Sequence, residues 1–158
     1  LFAQLNLLDS HDVSRFLSLC GGDTASYRLA FLFMMCFVGM PTIFYGDELG
    51  VQGMQEEEYR APMPWKGGDM ALPGFFRKAI AMRHALSPLR DGTFQMLSAE
   101  EGSRVIRFRR DTGAASVTVA INAGNTAAAI PQSEETLYWA EGLQNGILSP
   151  GGFSVTYR

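Results

Sequence analysis

Residues 6–16, NLLDSHDVSRF, join an apolar segment to a cluster of side chains that ionise or form hydrogen bonds. Residues 5–8 predict a short buried strand, and the apolar residues from 13 to 19 have the spacing at which a helix begins. The strand leads into His11 and Asp12. Such an ending is either a turn rich in capping residues or part of a site that needs a carboxylate beside an imidazole, and the spacing alone leaves both interpretations open.

A helix and a second strand follow this cluster. Asp23 or Thr24 is placed to cap a helix over residues 25–38, which are apolar on nearly every side. Gly39 is the expected end of that helix, and residues 42–45, TIFY, predict the next strand. Strand, helix and strand in this order form a βαβ unit, and such units build parallel sheets.

The rest of the chain changes character twice. Residues 51–73 are rich in Gly, Pro, Met and acids and predict a long ordered loop, whereas residues 73–86 predict an amphipathic helix that ends at Ser87-Pro88. Beyond that helix the apolar period becomes that of strands, which predicts a compact antiparallel β-sandwich. The strand-like runs are residues 93–98, 103–110, 115–122, 127–131, 136–140 and 153–158.

Composition excludes several classes of partner. The chain has 158 residues, 47% of them hydrophobic, and a formal net charge of −3, so it lacks the basic field that recruits nucleic acid or an anionic membrane. The strongly apolar uncharged run at residues 29–45 is shorter than the ~20 residues of a membrane-spanning helix. We therefore expect no nucleic-acid and no membrane partner, and a neutral substrate suits this balance.

The cysteines and histidines point to no cofactor. Cys20 and Cys36 both lie in apolar runs, which favours free, buried thiols in a reducing, cytoplasmic setting. No Cys or His spacing is typical of a metal site, and no Gly-rich phosphate loop is present in the sequence. We expect neither a metal nor a cofactor.

Three motifs in a fixed order resemble the α-amylase family of glycoside hydrolases, family 13. They are LLDSHDVSRFL at residues 7–17, GMPTIFYGDELGVQG at residues 39–53 and YRAPMPW at residues 59–65. The resemblance is closest to the neopullulanase, cyclomaltodextrinase and maltogenic amylase group, in which Ser precedes the His-Asp pair. It implies that residues 1–87 are the last βα units of a (β/α)8 TIM barrel and that residues 88–158 are a C-terminal antiparallel β-sandwich.

The resemblance also implies an activity and roles for four residues. Asp12 matches the third catalytic carboxylate, which contacts the sugar at the cleaved bond and stabilises the positively charged transition state, and His11 matches the imidazole that binds the same sugar. Arg60 and Glu56 match a basic and acidic pair that binds more distant glucose units. The implied reaction is retaining cleavage of α-glucosidic bonds in cyclodextrins, pullulan or maltooligosaccharides.

The family places its nucleophile and its general acid on earlier barrel strands, which this sequence does not contain. We therefore expect a fragment that is inactive alone. Asp47 or Glu48 could stand in for a missing carboxylate, but a role in tying down the turn at Gly46 is favoured. Because a partial barrel leaves strand edges unpaired, its residues should either pack against the sandwich or self-associate.

Two other functions compete with this interpretation. A non-catalytic carbohydrate-binding or structural module would show exposed aromatic residues on one face of the sandwich, yet most of its aromatics alternate as core residues do. Those aromatics are Phe94, Phe108, Tyr138, Trp139, Phe153 and Tyr157. A metal-dependent phosphohydrolase would need further ligands beside His11 and Asp12, and His84 is the sole other histidine.

Two more side chains have alternative interpretations. Arg15 lies three residues after Asp12 and could pair with it, or with a neighbouring acid, and so orient the carboxylate. Trp65 could stack on a sugar ring or fill a packing gap, and the sequence favours neither.

Overall fold

A computed structural model describes residues 4–66 and 71–158. The chain divides into two compact units. The first runs to Met35 and resumes over Gly39–Met82, and the second consists of Cys36–Val38 and Arg83–Arg158. The domain boundary between residues 87 and 88 stays a prediction.

The first unit begins with the expected strand–helix–strand order. It contains β1 (Leu5–Asn6), α1 (Phe16–Leu19), α2 (Thr24–Cys36) and β2 (Met40–Pro41). The two strands pair in parallel, with Leu5 opposite Met40, which confirms the predicted direction. Glycine is needed at residue 39, directly before β2, for two reasons. Its φ is +100°, and an added Cβ would lie 2.6 Å from the backbone oxygen of Gln4, the residue directly before β1.

Strand β1 is shorter than the strand predicted at residues 5–8. The strand predicted at residues 42–45 is wrong, because the second strand lies at Met40–Pro41. The amide of Thr42 still donates to the carbonyl of Asn6 at 2.7 Å, but residues 42–45 form no strand. The amide of Phe44 instead donates to the Asp47 carboxylate at 3.0 Å, so a side chain takes the hydrogen bond that a strand would use.

Helix α2 forms much of the core of the first unit. Its first turn is capped by the Asp23 carboxylate, which accepts the amides of Ala25 at 3.0 Å and Ser26 at 3.3 Å, as predicted. Phe31 of α2 stacks on Phe76 with ring centroids 3.6 Å apart. The helix ends at Cys36 rather than at the predicted residue 38.

The segment predicted as a long loop contains local helix. A 3-10 turn over Asp47–Leu49 and the one-turn α3 (Glu56–Tyr59) lie within it, and part of the predicted loop, residues 67–70, lies outside the described residues. Next come α4 (Leu72–Ala85), close to its predicted bounds, and α5 (Ser87–Asp91), which was not predicted. Pro88 was interpreted as a stop, but Pro is well accommodated in the first turn of a helix.

The second unit contains six strands. They are β3 (Thr93–Ser98), β4 (Val105–Asp111), β5 (Ser116–Asn122), β6 (Ala128–Ala129), β7 (Thr136–Gln144) and β8 (Ile147–Tyr157). All neighbours are antiparallel, in the order β3-β4-β5-β8-β6, and β7 pairs with β8. The antiparallel arrangement is confirmed, but the six strands belong to one hydrogen-bonded sheet, and the two-layer sandwich stays a prediction.

Strands β7 and β8 form a hairpin longer than the sequence runs predicted. Asn145 and Gly146, with φ of 49° and 77°, make the tight turn that places Gln144 opposite Ile147.

Arg110 of β4 is fully buried within the second unit. Its guanidinium donates to the carbonyls of Leu89 at 3.0 Å and Gly92 at 2.8 Å, and so joins β4 to the end of α5.

Within the described ranges no helix combines the length and the apolar character needed to cross a membrane. The same residues hold no group of three or more His, Cys, Asp or Glu side chains arranged to bind a metal ion.

Candidate functional site

His11 and Asp12 lie at the tip of the loop between β1 and α1. Their side chains are 66% and 65% exposed, and Nε2 of His11 lies 3.2 Å from Oδ2 of Asp12. The amide of Asp12 donates to the Ser10 hydroxyl at 3.1 Å, which tightens the tip into a turn. The backbone therefore presents a carboxylate and an imidazole side by side to solvent.

Arg60, the residue that follows α3, brings the predicted site residues together. Its Nε donates to the carbonyl of His11 at 2.7 Å, and its Nη2 lies 3.2 Å from Oδ1 of Asp12. Its Nη1 lies 3.0 Å from Oε1 of Glu56, one helical turn earlier. All four residues selected from the motifs thus form one cluster, although long stretches of sequence separate the two pairs.

The short helix α3 sets the spacing of Glu56 and Arg60. A capping box holds its start, since the Glu58 carboxylate accepts the amides of Met54 at 2.7 Å and Gln55 at 3.1 Å. These hydrogen bonds lower the pKa of Glu58. A single capped turn is enough to place two residues four apart on the same face.

Arg15 is fully buried and joins three chain segments. Its guanidinium donates to the carbonyl of Tyr45 at 2.8 Å and to that of Tyr59 at 3.2 Å, and it lies 3.2 Å from Oδ1 of Asp47. It also lies 4.2 Å from the ring centre of Phe44. Of the two predicted partners, the structure therefore selects a neighbouring acid, Asp47, rather than Asp12.

Asp47 and Glu48 tie down the turn at Gly46, as favoured from the sequence. Asp47 accepts the amide of Phe44 at 3.0 Å, and Glu48 accepts the amide of Gly46 at 3.1 Å. Asp47 is also buried, and burial, the charge of Asp9 and a hydrogen bond to Asp9 raise its pKa to about 8. Burial keeps Asp47 away from solvent, which argues against a catalytic role for it.

Asp9 was missed by the sequence reasoning. It is 3% exposed, and its Oδ2 accepts the amide of Phe16 at 2.8 Å. This bond closes the base of the loop that carries His11 and Asp12. An acid ahead of Ser-His-Asp looks like one more capping residue, so no sequence signal separated Asp9 from its neighbours.

The aromatic candidates give a mixed result. Trp65 is 86% exposed, so the packing role is wrong for the described part of the chain. In the second unit Tyr138 and Tyr157 are exposed, but their rings meet edge to face at 88° and form no flat surface for a sugar ring. Phe108, Trp139 and Phe153 are buried in the sheet.

Comparison with known proteins identifies the family. Residues 2–92 match the sequence profile described as alpha amylase, catalytic domain. The chain belongs to the alpha-amylase family. The resemblance inferred from the three motifs is therefore confirmed, whereas the roles of the individual site residues stay predictions.

Relatives within the alpha-amylase family are much longer than this chain. It is 40% identical over 119 residues to neopullulanase 2 of Thermoactinomyces vulgaris, a match that covers 74% of this chain and 20% of the relative. It is 40% identical over 126 residues to a cyclomaltodextrinase of a Bacillus species, covering 77% of this chain and 23% of the relative. The chain thus spans about a fifth of the length of these relatives.

A solved structure agrees with this assignment. The debranching enzyme of Nostoc punctiforme superposes with a TM-score of 0.84 at 29% identity, over 98% of this chain and 33% of that protein. The described fold therefore occurs within a longer debranching enzyme.

Proposed function

We propose that this chain contributes part of the active site of a retaining glycosidase that cleaves α-glucosidic bonds in cyclodextrins, pullulan or maltooligosaccharides. The observation that carries the proposal is the Asp12 carboxylate, which lies 3.2 Å from the Arg60 guanidinium and 3.2 Å from the His11 imidazole on an exposed surface. Exposed ion pairs add little to stability, so a cluster of this kind is better explained by ligand binding than by folding.

Asp12 has the chemistry of a carboxylate that stabilises positive charge. Retaining glycosidases pass through a transition state that resembles an oxocarbenium ion, and fixed negative charge near the sugar ring stabilises it. Among the described residues, each Asp12 oxygen has one partner, and a carboxylate has about four acceptor sites in all. Acceptor sites therefore remain for two sugar hydroxyls.

Arg60 and His11 have the donors that a sugar needs. A guanidinium carries five N–H groups, and Arg60 uses one on each nitrogen for His11, Asp12 and Glu56, which leaves one N–H on each Nη. The Arg60 side chain is 46% exposed, so those N–H groups are accessible to hydroxyls of a bound glucan. Glu56 holds the guanidinium in place and offers its second oxygen as an acceptor.

The proposal assigns one of three catalytic carboxylates to this sequence. The nucleophile and the general acid would lie on residues that the 158-residue sequence does not contain, in keeping with a match that covers 20% of the relative. In the same proposal, residues 1–87 are the last βα units of a (β/α)8 barrel, and residues 88–158 are a C-terminal β-sandwich.

A graft tests this function. The matching segment of the Bacillus cyclomaltodextrinase would be replaced by the corresponding residues of this chain, and release of reducing ends from cyclomaltodextrin would be measured. We expect the graft to open cyclomaltodextrin and the 158-residue chain alone to release nothing. A correctly folded but inactive graft would contradict the proposal, and release by the chain alone would show that another of its carboxylates acts.

A further inference from the structure

A buried cluster of Asp9, Arg15 and Asp47 lies behind the exposed site. These side chains are 3%, 0% and 4% exposed. Asp9 and Arg15 stand at the two ends of the loop that carries His11 and Asp12, and Asp47 follows the end of β2. Arg15 also donates to the carbonyl of Tyr59, the residue directly before Arg60.

The charges of this cluster do not balance if every group is ionised. Two carboxylates and one guanidinium would leave one uncompensated negative charge in a site with almost no access to water, which is strongly unfavourable. Among the described residues, Oδ1 of Asp9 is buried and has no hydrogen-bond partner. A hydrogen bond between the two carboxyl groups removes both problems, and that bond requires one proton.

We propose that Asp9 and Asp47 share one proton, and that this proton, together with Arg15, positions the loop that presents His11 and Asp12. With the proton in place the cluster is neutral, and the Asp9 carboxyl can keep its bond to the amide of Phe16 at the base of the loop. Arg15 donates to the carbonyl of Tyr59 and so fixes the residue directly before Arg60, which donates to His11 and Asp12. Asp9, Arg15 and Asp47 are positioning residues in this arrangement.

The other titratable groups around the cluster support a single shared proton. The hydroxyl of Tyr27, on α2, donates to the backbone carbonyl of Asp47 at 3.1 Å. Burial raises the pKa of Tyr27, with the charges of Asp47, Asp9 and Glu48 adding to the effect, so Tyr27 stays a neutral donor. Glu48 adds negative charge on the same turn and therefore also favours retention of the proton between Asp9 and Asp47.

Loss of the proton should loosen the loop. Two ionised carboxylates repel each other, and the weakened base of the loop would no longer fix His11 beside Asp12. The consequence for catalysis rests on the function proposed above, but the sharing of the proton does not. A measurement on the chain without substrate therefore tests this inference separately from the glycosidase assay.

The test uses the amides of Phe16 and Phe44 as reporters in the 158-residue chain. Phe16 donates to the Asp9 carboxyl and Phe44 to the Asp47 carboxyl, so their 1H–15N chemical shifts report on the two groups separately. If the proton is shared, both sets of shifts should change together near pH 8, where Asp47 loses its proton, and the His11 ring signals should change at the same pH. His84→Gln assigns the His11 signals.

Variants make the test specific. Asp47→Asn should abolish the alkaline step at Phe16 and at His11, whereas the exposed neighbour control Glu57→Gln should leave it unchanged. Asp9→Asn should abolish the step at Phe44. This variant replaces Asp47→Asn in the test if Asp47→Asn does not fold. Midpoints for Phe16 and Phe44 that differ by more than about one pH unit, or that both lie below about pH 5, would overturn the shared proton. A normal step at Phe16 without any response at His11 would overturn the positioning role.

Discussion

Replacement of Arg15 by Met removes the cation that joins the three segments of the first unit. The variant leaves the Asp47 carboxyl group without its buried positive partner, and it leaves the carbonyls of Tyr45 and Tyr59 without a donor. Removal of one member of a buried ion pair typically costs about 3–5 kcal/mol. Each lost hydrogen bond increases the loss in free energy of unfolding by about 1 kcal/mol. Packing of the methionine side chain offsets part of that loss.

We therefore expect Arg15→Met to lower the free energy of unfolding by about 4 kcal/mol at pH 7. The loss should be smaller at pH 5, because the two carboxyl groups can take up a second proton when the guanidinium is absent. Urea unfolding followed by circular dichroism at 222 nm measures it, since α2 lies in the first unit. Arg77→Met, at an exposed position of α4, is the control and should change stability by less than about 0.5 kcal/mol. A loss below about 1 kcal/mol, or an equal loss at both pH values, would refute the reasoning.

Four further predictions follow from the structure. Because the pKa of Asp47 is raised in the folded chain, the stability that Asp47 confers is complete below about pH 4 and is lost as pH rises through about 8. Over that range the free energy of unfolding should fall by roughly 1 kcal/mol per pH unit. Asp47→Asn should remove most of this pH dependence from urea unfolding midpoints. Gly39→Ala should destabilise the chain by more than about 1 kcal/mol in the same assay, because its φ is +100° and the new Cβ would meet a backbone oxygen at 2.6 Å. Asp23→Ala should cost about 1 kcal/mol by loss of the α2 cap, and a cost near zero would contradict the cap. In the graft, Arg60→Met should raise KM for cyclomaltodextrin about tenfold or more, as expected for loss of charge-assisted hydrogen bonds, whereas Glu57→Gln should not.

The elements that the sequence predicted well are those with a clear period and clear ends. Helix α2 has an apolar run after Asp23, and β3 begins and ends at its predicted residues because turn residues flank it. The strand at residues 42–45 failed for a physical reason. Its residues favour a strand, but the Asp47 side chain takes the amide of Phe44, and local propensity does not show such a competition.

The hairpin of β7 and β8 contained a signal that was overlooked. Asn145-Gly146 is a strong predictor of a two-residue turn, and its use would have extended both strands toward their observed ends. By contrast, the bend-prone residues 149–152 gave good reason to expect a break. They lie within β8, but the register of β7 against β8 shifts between Glu141 and Leu143, and the paired residues of β8 lie on either side of them.

The candidate site was predictable from its motifs but its support was not. His11, Asp12, Glu56 and Arg60 were selected from the sequence, and the structure brings them together. The contact between Asp9 and Asp47 depends on how the ends of two strands meet, and each residue alone looks like an ordinary turn acid. Burial, which distinguishes these two acids from exposed ones, is a property of the folded chain.

The most direct test of the account is the turnover number of the graft with Asp12→Asn. If Asp12 stabilises the transition state, kcat for cyclomaltodextrin should fall by about 10²-fold or more while the fold stays intact, because a fixed electrostatic contributor has been removed. Circular dichroism and the unfolding midpoint of the same sample would establish the fold. Turnover within about threefold of the unmodified graft would contradict the assignment of Asp12 to catalysis.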